Sequence, residues 1–235
     1  MKNDKIKTMV YMAMYVAMYV VLKWCGNLIP FLNMPNGGSI ELELIAVVLA
    51  SYHLGWKYGI VAALLSWIVT WILGFEMWIV TPMQTVLDYV APLVVVGMAQ
   101  ALWPFRSTSK PLGMAVCAAI GISGFLGIIK SWNGGIPVYV AAAVIAVVVA
   151  GVSWYFFDHN EARFGIVIGM LLKYVSQVLS GVYFWFPEGS AAGSWPAWSY
   201  SLSYNLWYNM VTLIVLAVVV PLLITRLSKI TAFKD

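Results

Sequence analysis

Long apolar stretches alternate with short polar segments along almost the whole chain. Several stretches reach 18 or more residues with few charges, which is typical of transmembrane helices. Runs such as AAAVIAVVVAGVSW lack the alternation of apolar and polar residues found in membrane β-strands. The pattern therefore predicts an all-α integral membrane protein whose single transmembrane domain spans residues 1–235. We predict eight segments, at about residues 7–24, 40–54, 57–73, 83–103, 112–129, 137–156, 164–186 and 200–225.

Composition supports this class and narrows the function. Of the 235 residues 63% are hydrophobic and 9% charged, whereas soluble domains contain about 25% charged residues. The chain lacks a GxxxxGK[ST] loop, an HExxH pattern, a CxxC pair and any nucleic-acid-binding signature. We therefore expect no catalytic residue, no metal and no bound cofactor, and transport with energy from elsewhere is the better interpretation.

Lysine and arginine are distributed unevenly among the loops that join the predicted helices. With eight helices, both ends lie on one side of the membrane. That side holds ten of these residues, namely Lys2, Lys5, Lys7, Lys57, Arg106, Lys110, Arg163, Arg226, Lys229 and Lys234. The other side holds Lys130, with Lys23 near a helix end. Because positive loops stay inside, we predict cytoplasmic termini and an outward position for the loops at about 25–39, 74–82, 130–136 and 187–199.

Four ionisable residues fall within or at the edge of apolar segments: Glu41, Glu43, Asp88 and Lys173. A charge at the centre of a membrane helix costs about 2.5–3.5 kcal/mol, so such residues are expected to face an interior and to find partners. We expect Glu41 to be a helix-start residue near water, stabilised by the helix dipole. Glu43 is either a cap, a packing ion pair or a site residue.

Lys173 lies about ten residues, roughly 15 Å, from the cytoplasmic end of its segment. Lys173, Gln177, Gly181 and Trp185 recur every four residues and therefore follow one face of a helix. Two interpretations stay open. The ammonium either forms an ion pair that only fixes helix packing, or it lines a ligand cavity and is held by Asp88 or Glu43.

The outward ends of three segments bring together a carboxylate, two amides and several aromatic rings. These residues are Asp88, Tyr89, Gln177, Trp185, Tyr200 and Asn205. Such a set suits a small, flat, partly cationic heterocycle, because rings stack on it and attract positive charge. We expect most other tryptophans, including Trp78, to lie at the membrane interface, and an interfacial position is also the alternative for Trp185.

Four stretches resemble the thiamine-specific substrate-binding (S) components of energy-coupling factor (ECF) vitamin transporters. They are MPNGGSIELELIAVVLASYHLGWKYG (34–59), LDYVAPLVVVGMA (87–99), KYVSQVLSGVYFWFPEG (173–189) and YSLSYN (200–205). The resemblance implies a thiamine-binding subunit of a bacterial ATP-driven importer, embedded in the cell membrane. Its partners would be a transmembrane coupling subunit and two ABC-type ATPases, which use the ATP.

The resemblance also implies roles for individual residues. Asp88 and Tyr89 would meet the ligand, Trp185 would stack on it, and Lys173 and Gln177 would project into the site from the same helix. Tyr200 and Asn205 would close the other wall, Glu43 would contribute from the second segment, and Ser39 falls in a lid loop.

The chain departs from the family pattern in three ways. Asp88 stands where the family has Glu, and Gln177 stands where it often has His. The family usually has six helices, so this chain is predicted to carry an extra two-helix hairpin at about 112–156. The substrate is then thiamine or a related pyrimidine or thiazole precursor.

Small residues four apart allow helices to approach closely, and two such pairs occur. In the family, an AxxxA surface docks the S component onto its coupling subunit, and here Ala13 and Ala17 have that spacing. The alternative for this pair is packing within the monomer. For GIVIG (165–169), packing within the monomer is the favoured interpretation.

Three other functions compete with this assignment. The chain is alternatively an S component for another vitamin, an independent secondary transporter, or a membrane enzyme. The last would need a nucleophile or metal set, which the sequence does not offer.

Overall fold

A computed structural model of the chain describes residues 2–33, 38–103, 111, 114–115, 118–119, 121–122, 135–159 and 163–229. Within these residues the fold is helical, as predicted. Six continuous helices are α1 (Lys2–Asn27), α2 (Leu44–Leu54), α3 (Trp56–Ile72), α5 (Gly135–His159), α6 (Phe164–Phe184) and α7 (Trp195–Leu227). Helix α4 is interrupted and consists of Pro82–Thr85, Val86–Val90, Ala91–Gly97 and Ala99–Leu102. A short 3-10 helix, Pro30–Leu32, follows α1.

The helices match the predicted apolar segments to within a few residues, with two exceptions. Among the described residues, three spans are long and apolar enough to cross a membrane: Lys5–Asn27, Phe164–Phe184 and Trp195–Leu227. The segment predicted at 40–54 becomes helical only at Leu44, so Glu41 lies in irregular chain before the helix. The segment predicted at 112–129 lies mostly outside the described residues, and so does the first half of the predicted hairpin.

Helix α2 forms the centre of the bundle. All its residues from Leu44 to Tyr52 are buried, because α1, α3, α4 and α7 pack around it. A helix that is apolar all round is buried in this way. Helix α4 bridges α3 and α6, and α7 packs against α6, α2 and α5. Helix α7 therefore forms one side of the bundle next to α2.

Glycines set the spacing between the helices that carry polar residues. A Cβ atom added at Gly59 of α3 would lie 2.4 Å from the Gly97 carbonyl oxygen of α4. A Cβ atom at Gly165 would lie 1.9 Å from the Ala99 carbonyl oxygen, and one at Gly169 would lie 3.2 Å from a backbone oxygen of α4. The two glycines of GIVIG therefore pack α6 closely against α4 within the monomer, in agreement with the interpretation favoured above.

The two alanines of α1 lie on the opposite surface of that helix from its core contacts. Tyr19 is buried in the core and Tyr15 packs against it. Ala13 and Ala17 are exposed, beside the exposed side chain of Met14. Packing within the monomer therefore does not explain this pair among the described residues.

Candidate functional site

Asp88 lies in a wide turn that interrupts α4. Thr81 caps the helix by accepting a hydrogen bond from the Gln84 backbone N–H at 3.1 Å. Residues Val86–Val90 then form a π-helical turn, closed by the Ala91 N–H, which donates to the Val86 carbonyl five residues earlier. Such turns are frequent at functional sites because they displace side chains from the regular helical positions. This turn carries Asp88 and Tyr89.

The Asp88 carboxylate receives two hydrogen bonds on the same oxygen. The Gln84 Nε2 amide donates to Oδ2 at 2.6 Å, and the Trp185 indole Nε1 donates to Oδ2 at 2.9 Å. The other oxygen, Oδ1, accepts no hydrogen bond from any residue that the structure describes. We call Asp88, Gln84, Trp185, Trp78 and Tyr89 the Asp88 cluster. The cluster retains an acceptor that is available to a ligand.

Aromatic rings surround this carboxylate. Trp78 and Trp185 meet edge to face with their ring centroids 6.2 Å apart. The Trp78 backbone N–H donates to the Tyr89 hydroxyl at 2.9 Å, so the loop before α4 is tied to the same cluster. Asp88 and Tyr89 are only partly buried, and Trp78 is exposed. The residues around the carboxylate are therefore not closed off from the surface.

Lys173 is buried and fully engaged by protein groups. Its side chain is 1% exposed, and its Nζ lies 2.5 Å from the Glu41 Oε2. Nζ also donates to the Gln177 Oε1 at 2.9 Å and to the Asn209 Oδ1 at 2.7 Å. An ammonium has three N–H donors, and three acceptors surround this one. We call Lys173, Glu41, Gln177 and Asn209 the Lys173 cluster.

The partner of Lys173 differs from both residues that the sequence suggested. The structure pairs the ammonium with Glu41, not with Asp88 or Glu43. Glu43 instead accepts a hydrogen bond from Lys23 of α1 at 2.9 Å. The expectation that Glu41 is a helix-start residue near water is also wrong, because α2 begins three residues later and the carboxylate turns toward α6.

A ladder of polar residues on α7 supports the Lys173 cluster. The Asn209 Nδ2 donates to the Gln177 Oε1 at 2.8 Å and to the Asn205 carbonyl at 2.9 Å. One turn away, the Asn205 Nδ2 donates to the Ser201 carbonyl at 2.9 Å, and the Tyr208 hydroxyl donates to the Asn205 Oδ1 at 2.5 Å. The side chains of Asn209, Asn205, Ser201 and Tyr208 each make at least one hydrogen bond, as buried polar groups in proteins usually do.

Close contact between α6 and α7 at their outer ends holds this ladder in place. A Cβ atom at Gly181 would lie 2.2 Å from the Ser201 Oγ, so only glycine fits at this position. The Ser201 hydroxyl donates to the Val178 carbonyl at 2.8 Å. The predicted small gap at Gly181 is thus filled by α7 itself.

Three tyrosines of α7 form an aromatic wall beside the two clusters. Tyr200 and Tyr204 stack at 5.7 Å, and Tyr204 meets Tyr208 edge to face at 6.1 Å. The Gly38 N–H donates to the Tyr204 hydroxyl at 3.1 Å. Ser39 forms a backbone bridge to Asn33, so the ends of the predicted lid loop rest near this wall.

Tyr208 borders the Lys173 cluster. Its ring centroid is 5.5 Å from the Lys173 Nζ, and its hydroxyl donates to the Asn205 Oδ1. The predicted residues Asp88, Tyr89 and Trp185 therefore lie together, and so do Lys173, Gln177 and Asn205. Tyr200 joins them through the tyrosine wall. Glu43 is engaged separately by Lys23.

Sequence reasoning missed several residues that the structure places in these clusters. Asn209 continues the four-residue spacing of Ser201 and Asn205, and Gln84 lies four residues before Asp88, so helical spacing contained a signal for both. Trp78, which was expected at the membrane interface, is exposed and also contacts Trp185. No helical spacing indicated that Glu41 pairs with Lys173, because Glu41 lies before α2 begins.

Known proteins resemble this chain along almost its whole length. A family model described as "Thiamine transporter protein (Thia_YuaJ)" matches residues 9–232. The thiamine transporter ThiT of Bacillus subtilis is 27% identical over 222 residues, which cover 94% of this chain and 92% of the relative. A solved structure of ThiT from Listeria monocytogenes superimposes with a TM-score of 0.54 at 15% identity, covering 98% of this chain and 97% of that one. The structural match supports the same fold, and since the family model spans nearly the whole sequence, the chain belongs to the thiamine transporter protein family.

Proposed function

We propose that this protein binds thiamine as the substrate-binding (S) component of an ECF-type importer and takes no part in covalent chemistry. The observation that carries the proposal is the Asp88 carboxylate. One of its oxygens is fixed by two donors, and the other accepts no hydrogen bond from the described residues. A partly buried anion beside aromatic rings suits a cation that also offers N–H groups.

Thiamine has both features, since it joins a cationic thiazolium to an aminopyrimidine. The Asp88 Oδ1 would accept from the pyrimidine amino group or balance the thiazolium charge. The Trp185 ring would stack on the ligand and attract its positive charge. Tyr89 and Tyr200 would border the ligand on either side. Asp88 would thus supply the only formal negative charge of this arrangement, and the Trp185 ring would add cation–π attraction.

The other predicted substrate-binding residues would act around Asp88. Gln177 and Asn205 would supply the wall on the α6 and α7 side. Lys173 would act by holding Gln177, because its own three donors are already used. Ser39 would act as part of the loop before α2. Glu43 would hold α1 against that loop by accepting the hydrogen bond from Lys23.

We further propose how the protein is placed and what it contacts. Both termini would be cytoplasmic in a multi-pass arrangement in the bacterial cell membrane. The exposed face of α1 around Ala13 and Ala17 would dock onto a transmembrane coupling subunit that carries two ABC-type ATPases. The hairpin at about 112–156 would be an addition to a six-helix core within one domain. Its second helix, α5, packs through Trp154 against a small cluster that includes Met210 of α7.

Ligand titration of the purified protein tests the proposal directly. Thiamine should quench the intrinsic tryptophan fluorescence saturably, while riboflavin and the isolated pyrimidine half should compete weakly or not at all. Asp88→Asn and Trp185→Ala should each weaken binding. Unchanged thiamine affinity in both variants would show that the ligand binds elsewhere.

Two further experiments separate the remaining alternatives. In liposomes, the protein alone should not accumulate thiamine, and uptake should require the coupling subunit and ATP. Uptake by the protein alone would indicate a secondary transporter. For orientation, Ala192→Cys in a cysteine-free background should react with a membrane-impermeant maleimide from outside intact cells, and Ser228→Cys should not.

A further inference from the structure

Gln84 is the most completely engaged side chain near the carboxylate. It is 0% exposed and lies in the first turn of α4. Its Oε1 accepts from the Val80 N–H at 3.0 Å, and its Nε2 donates to the Trp78 carbonyl at 2.9 Å and to the Asp88 Oδ2 at 2.6 Å. Both amide hydrogens are therefore used, one on the loop before the helix and one on the acid.

The rotation of a carboxylate about its terminal torsion is only weakly restricted, so an unrestrained Asp88 would present either oxygen in many orientations. The Gln84 amide and the Trp185 indole approach from two different helices and meet on one oxygen. Charge-assisted bonds of this length are stronger and more directional than neutral ones. Together they restrain the carboxylate through Oδ2, while Oδ1 receives no hydrogen bond from the described residues.

We infer that Gln84 is a positioning residue for ligand binding, which orients the Asp88 carboxylate and couples its orientation to the loop that carries Trp78. The inference rests on the proposed thiamine function. It adds that affinity depends on a side chain that is itself buried and does not touch the ligand. It also adds that one amide group, that of Gln84, holds both the loop that carries Trp78 and the Asp88 carboxylate.

A purely structural role for Gln84 predicts different behaviour. If the side chain only secured the loop, its bonds to Trp78 and Val80 would suffice, and its loss would affect folding whether or not Asp88 were present. A positioning role makes its effect on binding depend on Asp88. A double-mutant cycle distinguishes the two, because residues that act through one another are non-additive.

The experiment measures thiamine affinity in Gln84→Met, Gln84→Glu, Asp88→Ala and the Gln84→Met/Asp88→Ala pair. Methionine has a similar length and removes all three bonds, whereas glutamate keeps the acceptor for Val80, loses the amide donors and adds a second acidic group beside Asp88. We expect about ten-fold or greater weakening in both Gln84 variants, the usual effect of losing one hydrogen bond to a charged group. In the Asp88→Ala background, Gln84→Met should change the affinity by less than about two-fold.

Thr81→Ala is the matched control. It removes the cap of the same helix turn, which typically costs about 1 kcal/mol of stability, but it leaves the Gln84 side-chain amide bonded to Asp88. Its melting temperature should fall, and its thiamine affinity should stay within about two-fold of the unaltered protein.

The outcomes separate this inference from the proposed function. Failure of the unaltered protein to bind thiamine overturns the proposed function itself. If that protein binds and Gln84→Met binds equally well, the positioning role is wrong. The role is equally wrong if the full Gln84→Met loss persists in the Asp88→Ala background, because Gln84 would then act independently of the acid.

Discussion

Removal of Glu41 should destabilise the protein strongly, because it leaves the Lys173 ammonium buried without a counter-charge. Lys173 is 1% exposed, and Glu41 approaches it at 2.5 Å. Breaking a buried ion pair from one side typically costs about 3–5 kcal/mol. Since the Glu41 side chain is 23% exposed and the lysine keeps two neutral acceptors, we expect about 3 kcal/mol for Glu41→Ala.

Removal of both charges should cost much less. In Glu41→Ala/Lys173→Met no charge is left buried, and an apolar side chain of similar length fills the space. The remaining loss is the unpaired Asn209 Oδ1, worth about 1 kcal/mol. Gln177 keeps the hydrogen bond from Asn209. The double variant should therefore be about 2 kcal/mol more stable than Glu41→Ala, from the difference between these two costs.

Unfolding in mixed micelles by a denaturing detergent gives these free energies. Circular dichroism follows the helix content, and tryptophan fluorescence reports the environment of the aromatic cluster. The unaltered protein, both single variants and the double variant complete the cycle. A Glu41→Ala cost below about 1 kcal/mol, well under the range for a buried pair, would refute the reasoning. Additive costs in the double variant would refute it as well.

Three further predictions follow from the packing and the site. Gly59→Ala should lower the melting temperature by several degrees, because its Cβ would lie 2.4 Å from the Gly97 oxygen, whereas Gly26→Ala, with nothing within 4 Å, should not. Trp185→Phe keeps a stacking ring but loses the N–H that donates to Asp88, so thiamine titration should show several-fold weaker binding and Trp185→Ala a larger loss. Ala17→Trp lies on an exposed face and should leave thiamine binding intact while reducing uptake by the reconstituted transporter; unchanged uptake would place docking on another surface.

Most of the helical framework could be predicted from the sequence because it depends on local chemistry. Apolar length sets the helices, and Gly-rich and Pro-containing segments end them. The meeting of Asp88 with Trp185, 97 residues apart, was also within reach. Both residues lie near the outward ends of their predicted segments, so a common membrane depth limited how far apart they could be.

The pairing of Lys173 with Glu41 could not be predicted from the sequence. Periodicity fixes which residues share a face of one helix, but Glu41 lies before α2, where no period applies. Its position is set by tertiary contacts, including the Glu41 N–H, which donates to the Thr212 hydroxyl of α7 at 3.1 Å. The wide turn around Asp88 was unpredictable for a related reason. It depends on contacts from other elements, such as the Ser176 hydroxyl of α6, which donates to the Leu87 carbonyl at 2.7 Å.

Asp88 and Lys173 differ in how their hydrogen-bonding capacity is used, and that difference assigns their roles. Lys173 has three donors and three protein acceptors, so any ligand that bonded to it would first have to displace one of them. Asp88 has two oxygens, and the described residues donate to only one. A charge that is fully satisfied stabilises the fold, whereas a charge that is oriented but only half satisfied can gain from a ligand. Ligand recognition should therefore centre on Asp88, with the Lys173 cluster holding the wall against which the ligand rests.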